Sequence, residues 1–141
     1  MTHKTHTTHS DDETRKLAGE FASKLKGGEI VELIGDLGSG KTTFVRGVAE
    51  ALGSTARVKS PTFTIMNEYP TKHKSIKKIV HIDLYRFSDA SQLDALEIDD
   101  YQKSDTVIFV EWPEVVEKLP VKSTHKIKLD FVDETTRKIK F

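Results

Sequence analysis

The chain has 141 residues, 22 Lys plus Arg against 22 Asp plus Glu, a formal net charge of zero and no cysteine. That length suits one domain with a moderate core and leaves little room for a large substrate domain or lid. Neutrality argues against a stand-alone nucleic-acid binder, which is usually basic, and the lack of cysteine excludes a disulfide framework and a Cys-based zinc site.

The first stretch, "MTHKTHTTHSDDE", has no hydrophobic segment of the signal-peptide kind. No apolar run in the chain reaches the length of a membrane span, so a cytoplasmic protein without membrane contact is expected. His3, His6 and His9 alternate with polar residues. Such a tract offers no packing to fix metal ligands and reads as a flexible tail over residues 1–9. The domain then runs from 10 to 141. Ser10 followed by Glu13 forms a capping-box pattern, and Leu17, Ala18, Phe21, Ala22 and Leu25 make one helical face that "KGG" ends. "EIVELI" (29–34) reads as a short buried strand. After a glycine-rich turn, Phe44, Val45, Val48, Ala49 and Leu52 recur at helical spacing. Gly53 fits the C′ position of that helix.

Residues 57–70 begin as a loop and become strand-like from Phe63. Residues 76–87 form a second strand-like run, so the two predict a hairpin or neighbouring strands. "SDASQLDALEIDDYQ" predicts a short helix and a turn, and "TVIFVEW" (106–112) is the clearest buried strand. "PEVVEKL" predicts helical turns opened by proline. "HKIKLDFVD" (125–133) alternates as an edge strand, with "TTRKIKF" as its hairpin partner. The sum is a single α/β domain with a mixed, mostly parallel sheet and flanking helices.

The glycine-rich turn carries chemistry. Gly35, Gly40, Lys41 and Thr42 match G-x-x-x-x-G-K-[ST], the phosphate-binding loop, between a strand and a helix. A chance match in this chain has a probability of roughly half a percent, taking Gly at about 7% of residues. Glycines allow backbone N–H groups to face phosphate oxygens, and the helix start adds donors and partial positive charge. Lys41 supplies a point charge to the phosphates, and the Thr42 hydroxyl is placed to ligate Mg²⁺.

A second acid is needed near that ion, usually at a strand end. Glu111, after "VIFV", and Asp83, after "IVHI", are the two candidates. Ser60, Thr62 and Thr64 in "KSPTFT" offer hydroxyls in the loop after the first crossover helix, where switch-type NTPases reach the γ-phosphate or metal; a polar loop leading into a strand is the alternative. Asn67 is the only asparagine and is followed by Glu68 and Tyr69. The Asn-Lys-x-Asp guanine reader is therefore absent, which favours ATP. Arg46 reads as a solvated helix residue, and Arg86, just beyond Asp83, is the better candidate for transition-state charge.

Four motifs in series, "GDLGSGKTTFVRG", "VKSPTFTIMNEY", "HIDLYR" and "VEWPE", resemble in content and order the TsaE family, formerly YjeE. The resemblance spans about residues 10–131. It implies a P-loop NTPase-like fold and an ATPase that binds and hydrolyses Mg-ATP in support of threonylcarbamoyladenosine formation at position 37 of tRNA. It implies ATP contacts from Gly38, Ser39, Gly40, Lys41, Thr42 and Thr43, with Asp12 and Thr14 near the base. It further implies Mg²⁺ ligation by Thr42 and Glu111, and catalytic parts for Asp83, Lys41 and Thr62, the last in a switch-like loop. Partners implied are TsaB and TsaD, with tRNA engaged through them. A small-molecule kinase is disfavoured, because only five scattered arginines are present to furnish a lid. A nucleotide-sensing adaptor is separable from an ATPase by partner-stimulated turnover.

Overall fold

A computed structural model of the chain describes residues 4–61, 64–87, 90–115 and 119–141. Seven strands form one sheet in the order β1-β7-β6-β2-β5-β4-β3. They are β1 (Thr5–Thr8), β2 (Ile30–Ile34), β3 (Met66–Pro70), β4 (Lys78–Asp83), β5 (Thr106–Glu111), β6 (His125–Phe131) and β7 (Arg137–Lys140). The four central strands, β6, β2, β5 and β4, run parallel. Strands β1, β7 and β3 add antiparallel pairings outside them. The helices are α1 (Asp11–Ala22), α2 (Lys41–Ala51) and α3 (Ala90–Leu96), with 3₁₀ turns at Ile98–Tyr101 and Pro113–Val115.

Side-chain alternation divides the core. Val31, Leu33, Ile79, Val107 and Phe109 face α1 and α2, meeting Leu17, Phe21, Phe44, Val45 and Val48. Ile30, Val80, Ile82, Ile108 and Val110 face the opposite side and pack with Leu93 of α3 and Ile98. β5 is buried along its whole length, as expected of a strand covered on both faces. Phe44 and Phe109 are both fully buried, each contributing roughly 1.5–3 kcal/mol of transfer free energy.

α1 starts where the sequence predicts. The Ser10 hydroxyl accepts from Glu13 N at 3.1 Å, and Asp11, Asp12 and Glu13 fill the first turn, favoured there by the helix dipole. α1 lies against α2 so closely that a Cβ on Gly47 would come within 2.5 Å of Arg15 O. The β3–β4 and β6–β7 hairpins form as expected.

Two expectations change. Thr5–Thr8, read as part of a flexible tail, form β1 and pair with Arg137–Lys140; the polar alternation is that of an edge strand with one solvated face. β6, read as an edge strand, lies inside the sheet between β2 and β7. Its alternation has another cause: Lys126, Lys128 and Asp130 are exposed while Ile127 and Leu129 are buried, because helices cover only one face of the sheet there. The first described strand residue after the 57–65 loop is Met66, and Phe63, the expected strand start, lies outside the described residues. Among the described residues no helix is long and apolar enough to cross a membrane.

Candidate functional site

The parallel register brings the ends of β2, β5 and β4 to one edge. Leu33 stands opposite Glu111, and Glu111 opposite Asp83. The turn after β2 folds over this edge and enters α2 through Gly40, whose φ of 103° lies in the left-handed region that favours glycine. At Gly35 a Cβ would stand 2.5 Å from both Leu129 O and Ser39 Oγ, so the loop closes on β6 only without a side chain. The amides of Lys41, Thr42 and Thr43 open α2 and have no intrahelical acceptor.

Lys41 points back into the loop. Its Nζ donates to Gly35 O at 2.5 Å, stands 3.7 Å from Glu111 Oε1, and lies 4.0 Å from the centre of the Trp112 ring. Burial lowers the Lys41 pKa from its ordinary value, and the nearby charges of Glu111, Asp83 and Glu114 act in the opposite direction. Glu111 is 3% exposed, and its other oxygen, Oε2, meets His81 Nε2 at 2.5 Å. Trp112 turns the chain at the end of β5 with φ 58°, a costly conformation for a bulky residue, and its ring also meets Tyr85, 5.0 Å between centroids.

A cleft of about 300 Å³ opens beside these groups, lined by Thr14, Gly38, Gly40, Lys41, Thr42, Thr43, Ser60 and Glu111, and also by Asp11, Leu37 and Arg137. Of the residues singled out in the sequence, Gly38, Gly40, Lys41, Thr42, Thr43, Thr14 and Glu111 therefore come together. Ser39 is fully buried, and among the described residues its hydroxyl has no hydrogen-bond partner. Asp12 is not on the cleft wall; its side chain is largely exposed and pairs with Arg15. Asp11, one residue earlier, lines the cleft in its stead.

Asp83 is buried at the end of β4, where its Oδ1 accepts from Tyr85 N at 2.8 Å; it sits beside Glu111 and not on the cleft wall. Thr62 lies outside the described residues. The segment leading to it is anchored: Tyr69 OH donates to Lys59 O at 3.0 Å and accepts from Lys59 N at 3.2 Å.

Sequence reasoning missed Arg137 and His81. Arg137 reaches the cleft from β7, where Nη1 donates to Asp133 O and Thr136 O and the guanidinium lies over the Phe131 ring. No motif marks it. His81 did carry a signal, a polar residue in the apolar run "KIVHID" on the same face as Asp83.

A parallel strand edge, a glycine-rich turn into a helix, and an inward lysine facing a strand-end acid define an α/β domain of the P-loop NTPase-like class. The model of one family within that class, "Threonylcarbamoyl adenosine biosynthesis protein TsaE", matches residues 8–139, and the chain belongs to the TsaE family. It is 37% identical over 134 residues to the tRNA threonylcarbamoyladenosine biosynthesis protein TsaE of Bacillus subtilis, covering 95% of this chain and 82% of that protein. It is 38% identical over 133 residues to the protein of the same name from Aquifex aeolicus, covering 93% and 90%. The crystal structure of Bacillus subtilis YdiB aligns with a TM-score of 0.78 at 33% identity, over 99% of this chain and 84% of that one.

Proposed function

We propose that this chain binds Mg-ATP in the cleft at the start of α2 and hydrolyses it in support of a TsaB–TsaD complex during threonylcarbamoyl modification of tRNA. The observation that carries the reading is the convergence of Lys41 and Glu111, 3.7 Å apart and both nearly buried, at the mouth of a glycine turn. Lys41 would hold the β and γ phosphates together with the amides that open α2. Thr14 and Asp11, at the start of α1, would face the nucleoside.

The residues present fit a phosphate and a hard cation. A Cβ at Gly38 would meet nothing within 4 Å, so the loop leaves space for a bulky anion. Thr42 and Glu111 both line the cleft and offer oxygen donors, the ligand type of Mg²⁺. No group of three His, Cys, Asp or Glu stands together to hold a metal among the described residues. A divalent ion here would therefore share phosphate oxygens with one or two protein oxygens. When bound, Mg²⁺ neutralises charge on the phosphates. Asp83, beside Glu111, would orient the attacking water, and Thr62 would approach the γ-phosphate from the loop that Tyr69 anchors.

The test is steady-state phosphate release from ATP by the chain alone and with the cognate TsaB–TsaD pair, followed by modification of tRNA. Slow release alone and faster release with the pair is expected. Binding without turnover in either case would make the protein a nucleotide-sensing adaptor.

A further inference from the structure

His81 is a fully buried histidine in the middle of β4. From β5 it is faced by Phe109, its register partner, and by Glu111; from β3 the Tyr69 ring stands 6.4 Å away; Lys41 of α2 stands at the other oxygen of Glu111. Nε2 lies 2.5 Å from Glu111 Oε2, and among the described residues Nδ1 has no hydrogen-bond partner. A carboxylate only accepts, so Nε2 is the donor in this pair. A leucine or phenylalanine would fill the same space without burying an unsatisfied nitrogen. The imidazole is thus a poor choice for packing, and among the described residues the hydrogen bond it makes is to Glu111.

That contact has a consequence for the site. The terminal torsion of a glutamate is broad, so its carboxylate rotates unless one oxygen is held. The geometry points to His81 as the positioning residue that holds Oε2 of Glu111 and thereby presents Oε1 alone to Lys41 and to a phosphate-bound Mg²⁺. This rests on the reading of Glu111 as the acid on the metal side. Outer partners that orient a metal ligand typically govern about 10- to 100-fold in metal affinity.

The experiment measures ATP affinity by calorimetry across a Mg²⁺ series and in EDTA, with circular dichroism melts as the fold control. His81→Phe keeps a flat ring, at a somewhat larger volume, and removes the donor. It should raise the Mg²⁺ concentration that half-maximally tightens ATP binding by about 10-fold or more, while affinity in EDTA moves little. His81→Gln places an amide nitrogen where Nε2 sits and should stay within about 3-fold of wild type. His81→Asn places its amide near Nδ1, out of reach of Glu111, and should behave as His81→Phe does; it carries the test if His81→Phe does not fold.

Added to Glu111→Gln, His81→Phe should cause no further shift. Nitrogen-15 spectra of the histidine rings should find His81 with its proton on Nε2. A wild-type Mg²⁺ requirement in the folded Phe or Asn variant, equal shifts in Gln and Asn, additivity with Glu111→Gln, or an Nε2 without a proton each overturns the assignment. If wild-type protein binds ATP with no Mg²⁺ dependence, the functional reading fails first and takes this assignment with it. If wild type depends on Mg²⁺ and His81→Phe does not differ, the positioning role alone fails.

Discussion

Replacing Lys41 by methionine separates what this side chain does for the fold from what it does for a ligand. Among the described residues the ammonium meets Gly35 O at 2.5 Å, Glu111 Oε1 at 3.7 Å and the Trp112 ring at 4.0 Å. At 3.7 Å a pair of unit charges interacts by about 4.5 kcal/mol at an effective dielectric of 20. Burial opposes that gain, and it is the first cause of the lowered Lys41 pKa. Methionine keeps the length and sheds the ammonium's own desolvation cost, but it leaves the buried Glu111 carboxylate with His81 and without its cation, and loss of one member of a buried pair costs about 3–5 kcal/mol, roughly 12–20 °C in Tm.

Binding is a separate quantity. A charge-assisted hydrogen bond to phosphate is worth about 1.5–3 kcal/mol, so Lys41→Met should weaken ATP about 10- to 140-fold. Calorimetric titration with Mg-ATP, beside thermal melts of both proteins, measures the two quantities independently. Equal affinities would remove Lys41 from the phosphate site. A fall in Tm of less than about 4 °C would show that Glu111 does not need the ammonium in the folded state, and would refute the pairing argument.

The remaining expectations concern the scaffold and the second acid. Gly47→Val puts a branched side chain where even a Cβ would lie 2.5 Å from Arg15 O and 2.7 Å from the Ala18 Cβ; it should cost about 1–3 kcal/mol and, by moving α1 and Thr14, weaken ATP as well, and an unchanged melt would contradict the close helix crossing. The Asp133 carboxyl is held below its usual range by hydrogen bonds from Thr135 and Thr136, so its stabilising effect is present above the unfolded-state pKa and is lost as pH falls through the lower folded value. Asp133→Ala should therefore be less stable than wild type at pH 7, with the gap closing below about pH 4; a gap independent of pH would show that the carboxylate charge is irrelevant to the turn that carries Arg137. Asp83→Ala should keep ATP binding within about 3-fold and lose at least about 10-fold in partner-stimulated phosphate release, and normal stimulation would make Asp83 structural.

Much of this site was readable because its parts are local. The spacing of Gly35, Gly40, Lys41 and Thr42 fixes a turn whose geometry needs no knowledge of the rest of the chain. Apolar runs that end in an acid marked Glu111 and Asp83 as strand termini. What could not be read depends on pairing. Lysines alternating with Ile127 and Leu129 look the same in an edge strand and in an interior strand bare on one face, and only the strand order distinguishes them. Thr5–Thr8 has too little apolar content to predict a strand; it is ordered by the backbone of β7. Arg137 reaches the cleft because β7 lies beside β6, across which Leu129 O touches the glycine turn. Asp11, and not Asp12, lines the cleft because successive helical residues point about 100° apart, and Asp12 turns outward to Arg15.

Register is the step that converts these strands into a site. Val107, Phe109 and Glu111 share the face toward α2, while Ile108 and Val110 face α3. The same alternation places Ile79, His81 and Asp83 together on β4. A slip of one residue in β5 against β2 would turn Glu111 toward the α3 side and bring Val110 before Lys41. It would bury an unpaired carboxylate among Ile82, Leu93 and Ile98 and leave the Lys41 ammonium facing an alkyl chain, with both charges desolvated and neither matched. Val107 to Val110 are apolar and buried on both faces of β5, so their burial alone does not choose between the two registers; the carboxylate of Glu111 does, because the α2 side is where Lys41 and His81 meet it.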